Sequence, residues 1–76
     1  MTPRLPSCTD AQVLAALKRG GWRVYETRGS HHQLRHPDKP GVKVTIPLHN
    51  RELQRWLLTA IVKQAGLTQD EFRKLL

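Results

Sequence analysis

The chain has one cysteine, two tryptophans, one tyrosine, one phenylalanine and only six acidic residues among 76. A lone Cys8 cannot close an internal disulfide, excludes a cysteine-rich zinc site and fits a reducing cytosol. No apolar run approaches the roughly 20 residues needed to cross a bilayer. The opening Met1-Thr2-Pro3-Arg4-Leu5-Pro6 has no apolar signal core. These absences describe a cytoplasmic protein without a membrane role. Length excludes a second domain, because a chain this short buries only about 60% of its unfolded surface. Residues 1–76 are therefore read as one domain with a thin core. The shortage of acid is the outlying feature: 13 Lys and Arg leave a net charge of +7. That balance favours nucleic acid, an acidic protein partner or an anionic membrane surface.

Two prolines in residues 1–7 make an extended lead-in. Thr9-Asp10-Ala11-Gln12 matches a capping box, in which the Thr hydroxyl and the Gln side chain each satisfy an orphan N–H. Val13, Leu14 and Leu17 follow at helical spacing, and Gly20-Gly21 supplies the stop. The period then changes to two. Strands are predicted over Trp22 to Thr27, His31 to His36 and Val42 to Ile46, separated by Gly29-Ser30 and by Pro37-Asp38-Lys39-Pro40-Gly41. Short links make an antiparallel meander the economical arrangement. A long helix is predicted from Glu52 to Ala65, its apolar stripe made by Leu53, Leu57, Ala60, Ile61 and Gln64 and widened by Trp56, Leu58 and Val62. Thr68-Gln69-Asp70-Glu71 is a second capping box and opens a short added helix over residues 68–76. The order α-β-β-β-α, with that extra helix, is an α+β sandwich of two layers around an antiparallel three-stranded sheet.

Strict alternation turns Trp22, Val24, Leu34, Val42, Val44 and Ile46 toward the helices. It leaves Arg23, Tyr25, Thr27, His31, Gln33, Arg35, Lys43 and Thr45 on an open face with no acid among them. An antiparallel sheet with one wet side always shows such alternation. The missing acids are what tip the face from merely polar to phosphate-binding, with Tyr25 available to stack on a base. Four histidines in so short a chain are unusual. His31 and His32 point to opposite faces, and His32 and His36 sit about 13 Å apart, so no pair has metal-ligand spacing and no metal or cofactor is expected. His36 and His49 are expected to be inert. His31 differs because it follows Gly29-Ser30, where glycine lets the backbone approach a ligand closely and an imidazole can handle a proton.

At Gly29-Ser30-His31-His32-Gln33 the chain resembles the HicA family of bacterial toxins, the mRNA interferases of HicA–HicB toxin–antitoxin pairs. Gly21-Trp22, His36-Pro37-Asp38-Lys39-Pro40-Gly41, Val44-Thr45-Ile46-Pro47-Leu48-His49 and Lys63-Gln64-Ala65-Gly66-Leu67 extend the resemblance over roughly residues 10 to 72. It implies a fold similar to the double-stranded-RNA-binding domain, endonucleolytic cleavage of mRNA, and neutralisation by a HicB-like antitoxin; charge complementarity to the +7 chain adds the expectation that this partner is acidic and covers the His31 face. By position the catalytic histidine is His31, with His32 the second choice because some members carry it one place later. Two departures stand out. Trp56-Leu57 replaces the family's Gly-Thr, and Leu34 stands where an aromatic often follows the histidine motif.

The expected chemistry uses the RNA's own 2′-OH. His31 acts as acid or base, Gly29 and Ser30 admit the phosphodiester, and Arg28, Arg35 and Lys43 stabilise its charge, with Tyr25 and Gln33 as further RNA contacts. The products would be a 2′,3′-cyclic phosphate and a 5′-OH. The rival readings are a non-catalytic RNA-binding module of the same fold and an adaptor for an acidic protein. Trp56, on one stripe with Leu53 and Ala60, is expected to seal the helix against the sheet, with a partner anchor as the alternative.

Overall fold

Helix ends follow the capping residues. In the computed structural model, which describes residues 5–76, α1 (Asp10–Arg19) opens at Thr9. Thr9 Oγ1 accepts from the Gln12 N–H at 3.2 Å and Gln12 Oε1 from the Thr9 N–H at 2.8 Å. The same reciprocal pair, Thr68 and Glu71, opens α3 (Gln69–Leu75). After α1 the chain reverses at Gly21, whose φ of +97° lies in the left-handed region. A Cβ there would lie 2.7 Å from His36 Nε2, so the turn requires glycine twice over.

Three antiparallel strands follow, β1 (Arg23–Arg28), β2 (His31–Arg35) and β3 (Val44–Pro47), in spatial order β1-β2-β3. The chain then forms α2 (Arg55–Gln64) and α3. α1 and α2 pack on β3, and α3 packs on α1. Between the layers lie Val13 and Leu17 of α1, Trp22 just before β1, Leu34, Val44 and Ile46 of the sheet, Leu58, Ile61 and Val62 of α2, and Phe72 of α3. Each such side chain stabilises the fold by about 1.5–3 kcal/mol relative to exposure. Among the described residues no helix is long and apolar enough to cross a membrane. The first four residues of the expected lead-in lie outside the described residues. From Leu5 onward it is anchored to the core at two points: Leu5 and Cys8 are buried while Pro6 and Ser7 are exposed, and Arg55 Nη1 donates to the Leu5 carbonyl at 2.7 Å.

Several boundaries differ from the sequence reading, three of them with a cause visible in the backbone bonds. β2 stops at Arg35 and β3 starts only at Val44, because backbone bonds from Lys39 N–H to His36 O and from Val42 N–H to Lys39 O close turns across the link. α2 starts at Arg55 rather than Glu52. Residues 51–53 are occupied instead in a short antiparallel pairing with the chain before α1, through Asp10 N–H to Arg51 O and Leu53 N–H to Cys8 O, both 2.9 Å. The buried stripe of α2 is correspondingly rotated. Leu58, Ile61, Val62 and Ala65 are buried, Leu53 and Leu57 are half-buried, and Ala60 and Gln64 are exposed.

Trp56 therefore does not seal the helix against the sheet. It is 67% exposed, and its indole N–H donates to Gln54 Oε1. The residue one place along a helix is turned by about 100°, enough to move this ring from the core edge to solvent. Trp56→Ala should accordingly change the free energy of unfolding by no more than about 0.5 kcal/mol. Urea denaturation checks this; a loss in the range of about 3–5 kcal/mol would mean that the ring is buried after all.

Candidate functional site

The hairpin joining β1 and β2 has two loop residues, Gly29 and Ser30, between the paired Arg28 and His31. Gly29 has φ +58°, at the first loop position, where a two-residue hairpin turn takes glycine. Nothing lies within 4 Å of the place a Cβ would occupy, so the peptide at the turn is bare. His31 is exposed, and its cross-strand neighbours are Arg28 on one side and Pro47 on the other. His32 takes the opposite face. It is half-buried, paired with Ile46 and Thr27, and its Nδ1 donates to the Ser30 carbonyl at 3.3 Å.

A register shift between Val24 and Glu26 alters the composition of the open face. Val24 pairs with Leu34 and Glu26 with Gln33, so Tyr25 is the extra residue of a β-bulge. Tyr25 remains on the open side, where its hydroxyl donates to Gln33 Oε1 at 2.7 Å. Beyond the bulge the parity inverts. Glu26 and Arg28 join the open face, and Thr27 pairs with His32 on the helix side. The expectation of a face without acid is thus corrected. Glu26 lies on it and holds Arg28 in an ion pair, Nε to Oε1 at 2.8 Å. With Arg28 largely exposed, such a pair adds little to stability and yields readily to a phosphate.

The other side of the Gly29-Ser30 turn is built by the segment after β3. Leu48 N–H donates to Ser30 O at 2.7 Å, and His49 Nε2 lies 3.3 Å from Ser30 Oγ. A second imidazole therefore stands beside the residue that precedes His31. Its place is fixed from beneath by Asp10, which is only 1% exposed. Asp10 Oδ2 accepts from the His49 N–H at 2.6 Å and the Arg51 N–H at 3.4 Å, while Oδ1 accepts from the Ala11 N–H at 2.7 Å. Burial alone would push this carboxyl up. The backbone N–H groups of His49, Arg51, Ala11 and Asn50 together outweigh burial and hold it below the usual carboxylate value. The same loop carries Asn50 at φ +57°, the one non-glycine residue with positive φ among those described.

Arg28, Gly29, Ser30 and His31 thus come together at one end of the sheet. Arg35 and Lys43 do not join them. Arg35 is four residues along β2 from His31, about 13 Å at strand spacing, and its guanidinium lies 4.5 Å over the Tyr25 ring. Lys43 is exposed and precedes β3, beyond the pair Leu34 and Val44. Gln33 sits between the two ends, bound to Tyr25. His49 and Asp10 were missed from sequence. An acid in the first turn of a helix reads as a dipole partner, and the only local signal for His49 was its place in the Pro47-Leu48-His49 segment. His36 is structural: Nε2 donates to Gly20 O and Nδ1 accepts from the Asp38 N–H, both at 3.0 Å, which assigns the neutral Nε2–H tautomer.

Among the described residues no three His, Cys, Asp or Glu side chains gather to hold a metal ion. A family model described as the HicA toxin of bacterial toxin–antitoxin matches residues 11–67. No curated protein matches the chain.

Asp10 gives this site a pH signature. Its folded-state pKa is depressed, so its stabilisation is complete above the unfolded value near 4 and is lost as pH falls through the lower folded value. Asp10→Asn should destabilise the protein at neutral pH by about 1–3 kcal/mol, because it leaves a buried N–H without its acceptor. The gap between variant and wild type should close below about pH 4 in urea titrations. A gap independent of pH would show that the carboxylate charge contributes nothing.

Proposed function

The chain belongs to the HicA toxin family and is the toxin side of a toxin–antitoxin pair; from that premise we propose that it is an endoribonuclease that cuts mRNA in the cytoplasm, with His31 as its central acid/base group. The observation that carries this reading is the position of an exposed His31 beside the bare Gly29 turn, with Arg28 opposite on the neighbouring strand. His32 has the weaker claim, being half-buried on the helix side and tied to the Ser30 carbonyl.

RNA supplies its own nucleophile. In the proposed step the 2′-OH gives its proton to His31 as its oxygen bonds to phosphorus. The P–O5′ bond breaks, and the departing oxygen takes a proton from the imidazolium of His49. Arg28 and the turn's backbone N–H groups face the charge that builds on the phosphate. A single histidine contributes only about 10²–10⁴-fold. A second one held at 3.3 Å from Ser30 Oγ answers the need for both an acid and a base. The antitoxin is read as a HicB-like acidic protein, whose charge would speed its encounter with a +7 chain and whose simplest route to inhibition is to cover His31 and Arg28.

His31→Ala and His49→Ala separate catalysis from binding. Each should lower the rate of RNA cleavage by about 10²–10⁴-fold, while affinity for a 2′-O-methyl copy of the same RNA stays near that of wild type. Undiminished cleavage by His31→Ala would remove it from the mechanism. A wild-type protein that binds the RNA without cutting it would be the non-catalytic module instead.

A further inference from the structure

At the far end of the open face from His31, a cleft of about 480 Å³ opens between the strand ends and the turn that follows β2. We infer that this cleft is a base-binding subsite, holding one unstacked nucleotide of the RNA strand a few positions from the cut. This rests on the reading of the protein as a ribonuclease and adds the place where the substrate is gripped away from the reacting phosphate.

Its size is that of a small-ligand pocket. Tyr25 and Arg35 line it as a stacked pair, with the guanidinium 4.5 Å from the ring centroid and Tyr25 41% exposed. The ring is fixed before any ligand arrives, because its hydroxyl is bound to Gln33. Tyr25 faces outward with or without the bulge; the bulge makes it the extra residue of β1, with no partner of its own on β2. Planar guanidinium and phenol groups are the surfaces on which single-stranded bases stack.

Charge fits the same ligand. Arg23 and Arg35 are cross-strand partners at this end, and neither is in an ion pair among the described residues. Two unpaired guanidiniums beside a stacking platform suit the phosphate that accompanies a base. The acid of the adjoining turn, Asp38, does not line the cleft. The remaining wall is already committed to the fold and so acts as a rigid boundary. Both nitrogens of His36 are bonded to backbone, and Lys39 Nζ donates to Ala65 O at 2.5 Å while lying 5.8 Å over the Trp22 ring. Pro37 and Pro40 fix the backbone of the outer wall. The cleft thus has three side chains on the open face that are not tied to backbone, Arg23, Tyr25 and Arg35, and all three suit a nucleotide. The separation from His31, about 13 Å along β2, is one that a strand of RNA lying along the face spans.

The test is a coupling cycle on the full chain with non-cleavable RNA. A 2′-O-methyl oligonucleotide of about six nucleotides carries an abasic site walked through each position, and fluorescence anisotropy at low salt reads affinity. With wild type, one position should lose about tenfold when its base is removed. With Tyr25→Ala that loss should vanish, and with Tyr25→Phe, which keeps the ring, it should persist. A penalty equal in wild type and Tyr25→Ala, or a flat abasic scan, would overturn the subsite while leaving RNA binding intact. Wild type that binds none of the oligonucleotides would overturn the ribonuclease reading as well. Loss of affinity for an acidic protein partner in Tyr25→Ala, with no coupling to any base, would assign the cleft to that partner and overturn the subsite.

Discussion

The buried carboxylate of Asp10 is the point to which the functional end of this molecule is tied. A charge taken out of water is costly unless hydrogen bonds replace its hydration. Here the replacement comes from backbone N–H groups on two segments far apart in sequence, Ala11 on one side and His49 and Arg51 on the other. Asp10 also stands in the first turn of α1, where the helix dipole favours a negative charge. Its bonds to His49 and Arg51 bracket the left-handed Asn50, and the backbone pairing of residues 51–53 beside it delays the start of α2. From this anchor the chain of bonds continues outward, through Leu48 N–H to Ser30 O and His49 to Ser30 Oγ, and ends at the turn before His31. Helix start, loop and hairpin turn hold one another.

The excess of basic residues is divided between fold and surface. Arg19 donates to Leu75 O at the end of α3, Lys39 to Ala65 O at the end of α2, and Arg55 to Leu5 O. Cations at helix C-termini meet orphan carbonyls and the negative end of the dipole. A further cation, Arg28, is shared with Glu26. The net charge therefore overstates what is free to meet phosphate. On the open face the unshared guanidiniums, Arg23 and Arg35, lie at the end opposite His31. On the proposed reading, this separates gripping the substrate from reacting with it.

Much of the fold was legible because its signals are local. Both capping boxes, the glycine stop of α1, the hairpin at Gly29-Ser30 and the inward set Val24, Leu34, Val44 and Ile46 follow from residue type and period alone. What failed depended on partners distant in sequence. The bulge at Tyr25 leaves no mark in the alternation, since Tyr25 faces outward either way; only the pairing with β2 shows that Glu26 and Arg28 follow it there. The expected α2 included residues 52–53, which pair instead with the segment before α1, and its expected stripe ran through Ala60 and Gln64 where the buried one runs through Leu58, Ile61 and Val62 and leaves Trp56 outside. The exposed place of His31 beside the hairpin could be read from its glycine turn. His49 and Asp10 could not, because their roles arise from a contact between the two ends of the sheet's connections.

The central claim is that the RNA's own 2′-OH, activated by His31, makes the cut. The ends left on the products report this directly. After incubation of a defined single-stranded RNA with the wild-type protein, mass spectrometry of the fragments should find a 2′,3′-cyclic phosphate on the upstream piece and a 5′-hydroxyl on the downstream piece. A 5′-phosphate with a 3′-hydroxyl would mean that water attacked instead, and would contradict the account.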